Sequence, residues 1–108
     1  MKENFYGVYA ALLTPFNEEG NVCEKRLRKV VKFLISKEID GFYVCGSTGE
    51  GPLMNIEERK KVVEIVKEEV KNKAKIIVHI GGTSNTKNAV ELAKHSEKIK
   101  VDAVSSIP

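Results

Sequence analysis

With 108 residues the chain makes at most one small domain, and its 42% hydrophobic content is ordinary for a globular protein. Its net charge of +3 is the balance of 18 basic and 15 acidic residues interleaved along the chain, with no dense basic patch and no interleaved aromatics, which argues against nucleic acid as a partner. Cys23 and Cys45 give neither zinc spacing nor a disulfide framework, and no apolar run reaches the ~20 residues of a membrane span or has the layout of a signal peptide, so a reduced, soluble, cytoplasmic chain without metal or membrane partner is expected.

Gly7 to Leu13 is a short apolar run that ends at Thr14-Pro15. Proline lacks an N–H and the residue before it avoids the helical region, so the first strand stops there. Glu18-Glu19-Gly20-Asn21 reads as a turn. Leu27, Val30, Val31 and Leu34 then recur at helical spacing and predict a first helix over 24–37. Cys23 stands where a capping side chain is wanted before it. Asp40-Gly41 breaks the pattern, and Phe42 to Cys45 predicts the second strand. Asn55 with Glu58 three residues on has the form of a capping box, and Ile56, Val63, Val66 and Val70 mark the buried stripe of the helix that follows. The β-branched run Ile76 to Ile80 predicts the third strand, and Gly81-Gly82-Thr83-Ser84 a loop. Asn85 or Thr86 caps a third helix whose apolar side holds Ala89, Leu92 and Ala93. Ala103 to Ile107 predicts a fourth strand. The order β-α-β-α-β-α-β, with strands about 30 residues apart, implies parallel βαβ units.

In parallel α/β folds ligands bind at the C-terminal ends of the strands. One such end is unusual here: Gly46-Ser47-Thr48-Gly49-Glu50 directly follows the apolar second strand. Two hydroxyls and several backbone N–H groups in one turn suit a carboxylate or phosphate, and glycine lets the backbone come close to it. A tight turn in which Ser47 and Thr48 merely bond their own backbone remains open on local chemistry alone. No lysine follows in Walker spacing, and the glycines do not match the dinucleotide pattern.

Other polar residues give weaker signals. His79 lies within an apolar strand and reads as a satisfied core residue, His95 as plain surface, Tyr43 and Cys45 as core. The lysines fall on helices or before strands, where solvent is expected around them. A carbonyl-attacking lysine would have to be partly desolvated near a strand's C-terminal end.

Taken with Ala11-Leu12-Leu13-Thr14-Pro15-Phe16 upstream and Asp102-Ala103-Val104-Ser105 downstream, the Gly-Ser-Thr-Gly-Glu turn resembles the pyruvate-dependent class I aldolases that include dihydrodipicolinate synthases and N-acetylneuraminate lyases. The resemblance runs from about Gly7 to Pro108 and covers roughly the first third of such an enzyme. It implies that residues 1–108 are the N-terminal part of a single (β/α)8 TIM-barrel domain. In the family a lysine forms a Schiff base with pyruvate, a tyrosine relays protons, and this turn holds the pyruvate carboxylate. Carried over, Ser47 and Thr48 are the substrate-binding pair, Ser47 also joining the tyrosine's hydrogen bonds, while Gly46, Gly49 and Glu50 shape the turn. The family's lysine and tyrosine come after Pro108, so no catalytic residue is expected within the chain. No cofactor is implied, the partner is a small 2-oxo acid or sialic acid, and the complete protein is expected to be a homotetramer.

Ser47 and His79 resemble the neuraminate lyase branch more than the synthases, which usually carry a second threonine in the turn. Gly51-Pro52-Leu53 and Cys23 depart from the usual pattern. A sister aldolase and a non-catalytic fragment are the competing readings. Half of an eight-stranded barrel would leave its first and fourth strands with one free edge each.

Overall fold

In a computed structural model of the chain, residues 5–106 are described. Eight elements follow in order: β1 (Tyr9–Ala11), α1 (Glu24–Ser36), β2 (Gly41–Val44), a 3₁₀ turn (Gly51–Leu53), α2 (Ile56–Val70), β3 (Lys75–His79), α3 (Thr86–Lys98) and β4 (Ala103–Ser105). The strands form one sheet in the order β1-β2-β3-β4, every neighbouring pair parallel. This is the parallel α/β arrangement that the resemblance implies, with β1 and β4 each paired on one side among the described residues.

Register decides which side chains share a face. Ala10, Phe42 and Ile76 stand in one row, and Val44 pairs with Val78 in another. These residues pack with Leu27 and Val31 of α1 and Val62, Val63 and Val66 of α2 in a single core under the helices. Successive strand residues point to opposite faces, so Tyr43, Ile77, His79, Ala103 and Ser105 share the other side.

The buried stripe is narrower than predicted in α1 and broader in α2. In α1, Leu27 and Val31 are buried while Val30 and Leu34 are half-buried. In α2, Val62 and Ile65 join Val63, Val66 and Val70 in the buried set, and Ile56 is only half-buried. The middle helix touches both α1 and α3, so two of its sides are covered. Arg28 fixes the first of these contacts: its Nη1 donates to Glu69 at 2.7 Å and its Nη2 to Glu68 at 2.8 Å. His95 is a correction. It is half-buried, because α3 lies against α2 and the His95 Nε2 meets the Glu64 carboxylate at 2.7 Å.

Strand ends also shift. The first strand is shorter than 7–13, although Leu12 carries the ladder one residue on by donating to the Tyr43 carbonyl at 3.0 Å. The second strand stops before Cys45, which turns into the left-handed region at φ 63°. The third begins at Lys75, one residue early, and the fourth ends at Ser105. Ile107, predicted as strand, and Pro108 lie outside the described residues. Asp40 and Asp102 tie the strand starts together, accepting from the N–H of Val8 at 2.7 Å and of Ile76 at 2.8 Å. That end, which includes Lys75, is opposite the Ser47 turn.

Candidate functional site

The turn after β2 is held by two backbone bonds. Glu50 N–H donates to the Ser47 carbonyl and Gly51 N–H to the Gly46 carbonyl, both at 3.0 Å. Cys45 and Glu50 frame it, each with φ near +60°, a conformation that costs a non-glycine residue free energy and is held only when its surroundings enforce it. Both bonds draw on carbonyls of the turn and none on the N–H groups of Ser47 and Thr48. Among the described residues, those two N–H groups and both hydroxyls have no protein partner. Ser47 and Thr48 are exposed. Four donors without a protein partner thus lie on two exposed residues at one strand end, an arrangement that suits an anion.

Two of the glycines are required by close approach. A Cβ on Gly46 would stand 2.5 Å from Cε2 of Tyr43, whose ring lies over it. A Cβ on Gly49 would stand 2.6 Å from the Leu12 carbonyl oxygen and 3.3 Å from Oγ1 of Thr14. The second contact seats the turn against the end of β1, so Ser47 and Thr48 stand at the C-terminal rim of the sheet. Packing thus leaves no room for a side chain at Gly46 or Gly49, and Glu50 has a left-handed backbone.

Beneath the turn, on the face shared by Tyr43 and His79, a polar chain links three strands. The Tyr43 hydroxyl donates to Ser105 Oγ at 3.2 Å. The Tyr43 and His79 rings lie with centroids 6.1 Å apart. Nδ1 of His79 is 3.0 Å from the Cys45 carbonyl oxygen, which fixes Nδ1 as the protonated nitrogen, since two acceptors do not bond. His79 is buried, as the sequence implied.

Arg59 is the functional candidate that sequence reasoning missed. It is 1% exposed. Its Nη1 donates to the Gly81 carbonyl at 2.9 Å and its Nη2 to the His79 carbonyl at 2.7 Å, so it clamps the end of β3 from α2. Burial lowers its pKa from the usual guanidinium range. The signal was present: position 59 continues the stripe Ile56, Val63, Val66 and Val70 at helical spacing, and a charged residue there is marked for burial. Next to it, burial pushes the Cys45 thiol up to about 11, against the opposing pull of Arg59.

No lysine is buried among the described residues. Lys60, half-buried, is hydrogen-bonded to Glu91 at 2.5 Å, and that bond raises its pKa, the reverse of what a nucleophilic amine needs. Among the described residues no group of three or more His, Cys, Asp or Glu is placed to hold a metal ion, and no helix is long and apolar enough to cross a membrane.

Against known proteins, the model of the dihydrodipicolinate synthetase family matches residues 4–108. N-acetylneuraminate lyase of Escherichia fergusonii is 45% identical over 107 residues, which are 99% of this chain and 36% of the relative. The crystal structure of CdNal from Clostridium difficile, in complex with mannosamine, superposes with a TM-score of 0.92 at 43% identity, covering 96% of this chain and 36% of that one. N-acetylneuraminate lyase from Fusobacterium nucleatum complexed with pyruvate gives a TM-score of 0.87 at 40% identity, covering 94% and 34%. The chain thus spans about a third of the length of the relatives it matches.

Proposed function

Because the chain belongs to the dihydrodipicolinate synthetase family, we propose that Ser47 and Thr48 hold the carboxylate of a 2-oxo acid in a protein that acts as an N-acetylneuraminate lyase-type aldolase. The observation that carries the reading is the set of four unpartnered donors at the end of β2. A carboxylate there accepts from two hydroxyls and two amides, and hydrogen bonds to an ionised group are the strong ones. Similarity to a relative solved with pyruvate and to one solved with mannosamine supports a 2-oxo acid and an amino sugar as the ligand classes.

The turn's share of the chemistry is positioning. Holding the carboxylate fixes the 2-oxo carbon relative to an amine that attacks it. In class I aldolase chemistry that amine is a lysine, and the resulting iminium accepts the electron pair released when the carbon–carbon bond breaks. None of the described lysines has the burial for this role. The 108-residue chain by itself is therefore expected to bind the acid without turning it over. A cytoplasmic setting and a homotetrameric assembly belong to the same reading.

Incubation with N-acetylneuraminate, with pyruvate release followed enzymatically, tests the activity. Release of pyruvate by the protein that carries this segment supports the lyase reading. Condensation of pyruvate with aspartate semialdehyde, without cleavage of N-acetylneuraminate, replaces it with a synthase. Borohydride reduction of the 108-residue chain with labelled pyruvate is expected to leave no covalent label. A labelled lysine would overturn the assignment of the nucleophile to a position outside residues 5–106.

A further inference from the structure

Arg59 is a buried cation that faces no carboxylate among the described residues. Its hydrogen-bond partners are the carbonyls of His79 and Gly81, and its Nε donates to nothing. Isolated buried charge is costly, and carbonyl dipoles offset only part of the cost. A positive charge in this position therefore favours any anion that comes to the surface above it. Its location defines that surface. The two carbonyls it clamps end β3, next to the end of β2, and it lies beside the Cys45 thiol, immediately before Gly46-Ser47-Thr48. It also supports the floor of the turn mechanically, since His79, whose carbonyl it holds, contacts the Cys45 carbonyl through its ring.

We propose that Arg59 is a specificity residue for the acid held by Ser47 and Thr48: from behind the turn it makes the site select a carboxylate over a neutral group of the same shape. The proposal rests on the reading of that turn as a 2-oxo acid site. Arg59 acts through space and through the end of β3, whose carbonyls it holds.

A structural role and an electrostatic one separate on ligand charge. Pyruvate and pyruvamide have nearly the same shape and differ in charge. Affinities of both are measured by calorimetry on the wild-type protein and on Arg59→Lys and Arg59→Gln, with folding followed by circular dichroism. Wild type is expected to prefer pyruvate. Arg59→Gln is expected to lose about tenfold in pyruvate affinity while pyruvamide changes by less than about twofold, and Arg59→Lys is expected to retain the preference. Equal losses for both ligands would show a merely structural role and overturn the proposal. Should the Arg59 variants fail to fold, the Ser47→Ala/Thr48→Val variant is compared with wild type at about 0.5 M KCl. A preference for pyruvate that survives both the salt and the loss of the two hydroxyls supports the buried charge, whereas one that vanishes comes from the hydroxyls or from surface lysines and overturns the assignment to Arg59. A wild-type protein that binds neither compound sinks the 2-oxo acid reading itself. One that binds both equally sinks only the role of Arg59.

Discussion

The hydroxyl of Tyr43 on β2 donates to the hydroxyl of Ser105 on β4 at 3.2 Å, passing over the intervening strand β3. The ring that makes this bond rests on Gly46, the first residue of the Ser47 turn. One aromatic side chain thus couples the fourth strand to the backbone of the candidate site.

Gly46→Ala places a methyl group 2.5 Å from the Tyr43 ring, so the ring must leave its position and its bond to Ser105 is lost with it. Tyr43→Phe removes the hydroxyl and keeps the ring. The phenylalanine variant is expected to lose about 1 kcal/mol in urea unfolding and little pyruvate affinity. The alanine variant is expected to lose pyruvate affinity as well, and calorimetry showing the two variants alike would refute the coupling.

Ser47→Ala and Thr48→Val change exposed side chains that bond to no protein group. Each is expected to leave stability within about 0.5 kcal/mol. Each removes one bond to an anionic ligand, which corresponds to a roughly 10- to 100-fold loss of pyruvate affinity. Unchanged affinity in the double variant would place the acid elsewhere.

Asn55 accepts from Glu58 N–H at 2.8 Å while the Glu58 carboxylate accepts from Asn55 N–H at 3.0 Å, a complete capping box at the start of α2. Asn55→Ala is expected to cost about 1 kcal/mol, and Glu58→Gln, which keeps an acceptor, much less. In a domain of this size thermal unfolding should record the first as a fall of about 4–8 °C.

The Cys45 thiol, ordinarily near 9 and raised to about 11 by burial, stays protonated in the folded chain after it ionises in the unfolded one. Its folded pKa is the higher, so its contribution is complete below about pH 9 and is lost as pH rises through about 11. The loss amounts to roughly 2–3 kcal/mol. Urea unfolding of wild type and Cys45→Ala at pH 8 to 11 is expected to show the steeper decline in wild type, and parallel curves would contradict it. Half-exposed Cys23 is expected to react with a thiol reagent in the native chain while Cys45 stays protected.

The alternation of strands and helices was legible because each element repeats its apolar residues at its own period, as in Leu27 and Val31 of α1 or Ile76 and Val78 of β3. The capping box at Asn55 was legible because capping involves residues three apart, and of the two caps the sequence offered for α3, Asn85 and Thr86, the structure uses Asn85. The Gly46–Glu50 segment was legible as a turn for the same reason, its glycines and hydroxyls being adjacent in sequence, while local chemistry left open whether it binds a ligand.

What the residues could not disclose singly depends on chain segments distant in sequence. Cys45 ended its strand early because its left-handed backbone is held by contacts from Gly51 and His79. His95 was partly covered because α2 presents Glu64 to it. By itself the sequence determined a parallel βαβ chain and a donor-rich turn at the end of its second strand. Only the tertiary structure decided that the turn's donors stay unpaired and that Arg59 meets the carbonyls of His79 and Gly81, because hydrogen-bond partnership is set by neighbours that folding brings together, not by neighbours along the chain.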